Sequence, residues 1–140
     1  MNRKSAFATA LTVLTFLTVL PLLLGVSACS DDPLAPFQPE ISNVADNFAL
    51  QATGVTRRTT TLDYTWSNSG AQATVNHSTT TTAGSARLVI RDGANTLVYD
   101  ETLVPSLNEP TLTGASGNWK IQLVLADYSG TLNFRVQKTP

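Results

Sequence analysis

A single imidazole, His77, is all this chain offers for general-base chemistry of the serine-hydrolase kind. Such a site needs a nucleophile beside the ring and a carboxylate behind it. Serines and threonines abound, but no G-x-S-x-G elbow presents one. His77 instead alternates with polar residues on one face with Ala71, Ala73 and Val75, which reads as a strand-end or partly buried histidine. Asp92, Asp100, Glu101, Glu109 and Asp127 are scattered near turns. Paired carboxylates could serve a glycosidase or hold calcium, yet no dense D-x-D-x-D-G pattern gathers them, so they read as solvated loop acids. Arg57-Arg58 could form an anion patch, but neighbours on a strand point to opposite faces. Trp66 and Trp119 could stack on sugar rings. Both fall in register with aliphatic residues, Trp66 with Leu62 and Trp119 with Ile121 and Leu123, so the core claims them first. Tyr128, in an expected turn, is the better candidate for an exposed contact. One Cys and one His exclude a disulfide framework, a Cys-rich zinc site and a two-histidine metal site. No catalytic residue, metal or cofactor is expected.

The remaining chemistry sits near the N-terminus. Arg3 and Lys4 precede Ala6 to Val26, a run without a charged residue. A basic start, an apolar middle and small residues before a cut are the grammar of a secretory signal peptide. Pro21 and Gly25 loosen that helix, so the chain beyond can lie extended in a peptidase cleft. Then comes Val26-Ser27-Ala28-Cys29, whose Cys29 is the only cysteine among 140 residues.

These four residues resemble the lipobox of bacterial lipoproteins: an aliphatic residue, two small ones, then Cys. The resemblance implies that the Cys29 thiol receives a diacylglycerol, and that a dedicated peptidase recognises Val26, Ser27 and Ala28 and cuts before Cys29. The freed amine can then be acylated too. One acyl chain binds a bilayer marginally and two or three hold it firmly, at about 0.8 kcal/mol per buried CH₂. Ser30 rather than Asp follows the cysteine, which in Gram-negative members of the family implies the outer membrane, on its periplasmic or surface face. Other readings stand beside this one. The 21 residues Ala6 to Val26 are long enough to stay as a transmembrane helix; ordinary signal peptidase could cut after Ala28; and Cys29 could be an incidental thiol.

Removal of residues 1–28 leaves 140 − 28 = 112 residues, enough for one domain. Arg3 and Lys4 go with the leader, so 7 basic residues face 10 acidic ones, a net of −3. Nucleic-acid binding needs a basic face and is not expected. Residues 29–45 read as the lipidated cysteine and an extended tether, with Pro33, Pro36 and Pro39 and no hydrophobic period. At ~3.1 Å per residue the 16 residues from Ser30 could reach on the order of 50 Å.

From Asp46 to Pro140 the apolar period is two, the mark of half-buried strands. Phe48, Leu50 and Ala52 alternate with polar or small residues, as do Leu62, Tyr64 and Trp66, then Ala86, Leu88 and Ile90. Trp119, Ile121, Leu123 and Leu125 follow suit, then Leu132, Phe134 and Val136. Turn signals divide the runs at Asn68-Ser69-Gly70, Thr82-Ala83-Gly84, Asp92 to Asn95, Ser116-Gly117 and Asp127 to Gly130. Seventeen of the 112 residues are Thr, which suits the wet face of a pleated sheet. The expected fold is an all-β antiparallel sandwich, jelly-roll-like or immunoglobulin-like, of seven to nine strands, preceded by a signal helix and a Pro-rich tether.

From Ala86 to Val136 the motifs also resemble the pre-peptidase C-terminal (PPC-like) modules of secreted bacterial proteins. The resembling pieces are Leu88-Val89-Ile90-Arg91-Asp92-Gly93, Leu97-Val98-Tyr99, Gly117 to Leu123 and Ser129 to Val136. The resemblance implies a sandwich with a non-catalytic role and no particular ligand. The expected function is therefore that of an accessory, structural or protein-interaction module of the cell envelope. It would be held to the membrane by lipid on Cys29, with an envelope protein or polysaccharide as partner. A carbohydrate-binding module is the alternative; it requires exposed aromatics on one sheet face. A hydrolase using His77 or an acid pair comes third.

Overall fold

The computed structural model describes residues 37–140, and strand is the only regular structure among them. The expected signal helix and leader over 1–28, the Val26-Ser27-Ala28-Cys29 segment and the stretch through residue 36 lie outside the described residues. Seven strands, β1 (Glu40–Val44), β2 (Asn47–Asn68), β3 (Ala73–His77), β4 (Thr80–Arg91), β5 (Leu97–Thr102), β6 (Leu107–Pro110) and β7 (Gly117–Lys138), form one antiparallel sheet.

Two of these strands are far longer than an ordinary strand, and they explain the architecture. β2 and β7, 22 residues each, pair from Asn47↔Gln137 to Asn68↔Gly117. β3 and β4 follow each other along the opposite side of β7, from Ala73↔Lys138 to Arg91↔Lys120. One end of this ribbon collects β1 beside β2 and β6 beside β3, giving the order β1-β2-β7-β3-β6. The other end collects β5 beside β4. The ribbon bends between its ends, so the sheet folds over into two layers.

The bend has a local cause. In β7 the buried residues are Trp119, Ile121, Leu123 and Leu125, all odd, then Tyr128, Leu132, Phe134 and Val136, all even. A change of parity is what one extra residue in a strand produces. The ladder shifts register at the same level in all three long strands: between Ala52 and Thr60 in β2, and between Thr81 and Ser85 in β4, opposite 126–130 of β7. Positive φ angles mark the slips, at Gly54 and Arg57 in β2, Gly84 in β4, and Asp127 and Gly130 in β7. The bulges hold one another: Arg57 N–H donates to Ser129 Oγ at 2.9 Å and Asp127 N–H to Thr59 Oγ1 at 3.0 Å. A Cβ on Gly130 would stand 2.0 Å from Thr80 O, so only glycine lets β4 approach here.

The core lies between the layers. Phe48 packs on Phe134 (5.9 Å) and Tyr64 (5.3 Å), and Trp119 meets Trp66 edge-on at 5.8 Å. Each buried indole keeps a partner for its N–H, Val44 O for Trp66 (3.1 Å) and Ala115 O for Trp119 (2.7 Å). Full burial of each large apolar side chain contributes about 1.5–3 kcal/mol.

Three expectations change. β1 occupies residues expected to be tether. All five of its residues are exposed, so no alternation betrays it; a turn at Asp46, φ 64°, lays it back on β2. Asp127 to Gly130 is a bend inside β7 rather than a turn between strands. The run around Phe48 and the run around Tyr64, separate in the sequence reading, are two halves of β2.

Candidate functional site

His77, buried on β3, has only backbone partners. Its Nδ1 lies 2.9 Å from Val104 O and 3.2 Å from Val104 N, and its Nε2 has no hydrogen-bond partner. One tautomer donates to the carbonyl, the other accepts from the amide, and either way the ring pins the segment after β5 to β3. No hydroxyl or carboxylate bonds to it, so the relay that a serine hydrolase requires is not assembled around this ring.

The scattered acids divide by role. Asp92 is 4% exposed and acts as a staple: Oδ1 accepts from the N–H groups of Ala94 (3.0 Å) and Thr96 (2.7 Å), Oδ2 from that of Ala115 (2.7 Å). The Ala115 N–H, aided by those of Thr96 and Ala94, holds the carboxyl below the usual range against the opposing effect of burial. Asp46 is likewise lowered, chiefly by the Ser69 N–H at 2.7 Å and then the Ser69 hydroxyl. Asp100 takes Arg87 in a bidentate pair, which raises the guanidinium further. Asp127 stands 3.7 Å from Arg57 in the solvent, where such a pair contributes little. Arg57 is thereby engaged by an acid, while Arg58 is half-buried opposite Tyr128, so the two do not form a patch.

The aromatic candidates are not surface contacts. Trp66 and Trp119 are fully buried, as their register indicates. Tyr128 is fully buried as well, which overturns its reading as an exposed turn residue. The parity change just before it swings the ring into the bend, where Oη stands 3.1 Å from Thr80 O and 3.0 Å from Thr131 O. Burial raises its pKa.

What the fold does assemble is a polar row across the outer face of the first layer. The register Ser42↔Ala49↔Arg135↔Asn76↔Asn108 crosses β1, β2, β7, β3 and β6. The adjoining row is Glu40↔Gln51↔Asn133. Small Ser42 and Ala49 beside long Arg135 leave a depression of about 410 Å³, and a second of about 570 Å³ lies on the other side of Arg135, toward Gln137 and Asn108. Arg135 is exposed and has no ion pair among the described residues. Amides supply two donors and an acceptor each, and the guanidinium supplies five donors. The row suits a ligand rich in hydroxyls or carrying negative charge. Alternation marks Asn133, Arg135 and Asn76 as outward. That β3 lies against β7, and that β6 exists, is not written in any local pattern.

No protein-family profile matches this chain, and no curated protein sequence matches it.

Proposed function

We propose that the chain is an exported bacterial lipoprotein whose β-sandwich head is a non-catalytic accessory or protein-interaction module of the cell envelope. Its anchor is the acylated Cys29, and its address is the outer membrane where the cell has one. The observation that carries this reading is Val26-Ser27-Ala28-Cys29 directly after a charge-free apolar run, with the chain's single cysteine at the lipobox position. The head is consistent with a binding role: Asp92 and Asp46 hold turns, Asp100 holds Arg87, and the one imidazole holds a backbone segment, while Arg135 is exposed without an ion pair among the described residues. Mass spectrometry of the protein purified from its own envelope tests the anchor, with an acylated N-terminal cysteine expected. Cys29→Ser should move the head to the soluble fraction; an unmodified Cys29 behind an intact leader overturns the reading.

Polysaccharide binding is the second reading. The buried tryptophans remove the aromatic platform on which it was first framed. The Arg135 row of amides favours it in another form, through hydrogen bonds to hydroxyls or uronate carboxylates.

A further inference from the structure

On the side of the sandwich opposite β1, β5 and β6 each have one side without a paired strand among the described residues, although Leu112 N–H, just after β6, donates to Val98 O of β5 at 2.9 Å. β5 pairs only with β4, and β6 only with β3. The chain links them through Leu103 to Ser106, and a cleft of about 330 Å³ lies between them. Register shows which side chains point inward here. Glu101 stands opposite Leu88, and Glu109 opposite Val75, both core residues with no exposure. Both thus lie on the core-side face of their strands by register, but Glu101 is exposed at the edge and Glu109 half-buried, so the two carboxylates flank one opening rather than enter the core.

Tyr99 lies opposite Ile90, on the same face of β5 as Glu101. It is 7% exposed, lines the cleft, and its hydroxyl has no hydrogen-bond partner. That hydroxyl feels the Glu109 charge yet falls short of bonding geometry with it. Burial first, then Glu109, keeps it a phenol. The rim is apolar, with Leu97 at 41% and Leu112 at 69% exposure, beside Pro110. Inward-pointing acids on edge strands discourage edge-to-edge aggregation. That role alone calls for neither a stranded phenol nor exposed leucines around it.

We infer that the cleft between β5 and β6 receives a lysine or arginine side chain of a partner protein, its cationic tip between Glu101 and Glu109 and its aliphatic stem along Leu97 and Leu112. The chemistry selects this occupant. Asp100, the other acid of the cleft, is already taken by Arg87. Two carboxylates and a neutral phenol fall short of the six to eight oxygens of a calcium site, and no group of three or more acids or other metal-type ligands occurs among the described residues. An ammonium with three donors, or a guanidinium with five, matches the available acceptors. Beyond Val98 O, which already accepts from Leu112 N–H, the unpaired sides of β5 and β6 offer backbone groups that an extended segment of the partner can pair with. The inference rests on the head being a protein-interaction module, though not on the lipid anchor.

The test uses the full chain, isotopically labelled in detergent micelles, titrated with acetyl-Gly-Lys-Gly-amide and with the same peptide carrying norleucine for lysine. The lysine peptide should shift the amide resonances of Tyr99, Glu101 and Glu109 saturably, and the norleucine peptide should not. Glu109→Gln should weaken the lysine peptide about tenfold. Equal shifts from both peptides, shifts confined to other residues, or no shift at all overturn the inference. The lysine-to-norleucine contrast in the unaltered chain decides the matter even where Glu109→Gln does not fold. Photo-crosslinking in the native envelope separates the two levels. Crosslinks from position 108 but none from 101 retain the interaction module and overturn the cleft; crosslinks from neither position overturn both.

Discussion

The rings of Phe48 and Tyr64 lie 5.3 Å apart although both belong to β2 and 16 positions separate them. A straight strand would hold them roughly 50 Å apart. The contact therefore reports that β2 doubles over and presents its two halves to each other across the core. Phe48→Ala should cost about 3–5 kcal/mol in urea unfolding. A double-mutant cycle with Tyr64→Ala should return a coupling of about 1 kcal/mol. A coupling of zero would mean that the two halves do not meet.

The bend should be intolerant of side chains where strands touch and lenient where they do not. Gly54 has φ 63° and nothing within 4 Å of an added Cβ, so Gly54→Ala should cost only the left-handed backbone penalty of about 1–2 kcal/mol. Gly84→Ala would set a Cβ 2.3 Å from both Ala126 O and Asp127 O, and Gly130→Ala one 2.0 Å from Thr80 O. Both should lower stability by clearly more than Gly54→Ala in the same denaturant series.

Asp92 should make the head acid-labile. Its carboxyl is lowered in the folded state, first by the Ala115 N–H, relative to about 3.9 in an unfolded chain. A lowered folded value means that its stabilisation is whole above the unfolded value. It is lost as pH falls from there through the folded value. Melting temperature followed from pH 7 to pH 2.5 should drop steeply below about pH 4. Asp92→Asn should melt lower at neutral pH and show a shallower acid limb. Identical limbs would assign the acid sensitivity to other carboxyls, Asp46 first among them.

The Arg135 row predicts binding without a stability cost. Arg135→Ala is an exposed change and should alter folding by no more than about 0.5 kcal/mol. If the head binds acidic polysaccharide through this row, the same change should weaken retention in an alginate-loaded gel roughly tenfold, with Asn76→Ala weakening it less. Unchanged migration would remove the polysaccharide reading.

Much of this fold is legible in the sequence, and the limits have physical causes. The inward set Phe48, Leu50, Trp66, Leu88, Ile90, Trp119 to Leu125 and Leu132 to Val136 follows from alternation, because one face of each strand must be dry. The hairpin loop after Arg91 follows from Asp92-Gly93. Tyr128 is not legible as a core residue because Asp127 to Gly130 carries the residues of a turn, and a bulge uses the same positive-φ chemistry. β1 and β6 are edge strands with little or nothing buried, so hydrophobic period is blind to them. The Glu101–Glu109 cleft is hidden for a further reason. It depends on which edges are left facing each other, and no local pattern encodes a missing neighbour.

The pairing of Asn47 with Gln137 and of Asn68 with Gly117 sets the timetable of folding. β2 emerges from synthesis well before β7, its principal partner. Local hairpins such as β1 with β2 can form at once, but neither layer closes until β7 arrives, and such distant closures are slow. A chain passed N-terminus first through a narrow channel thus stays threadable until β7 has followed, whatever machine does the passing.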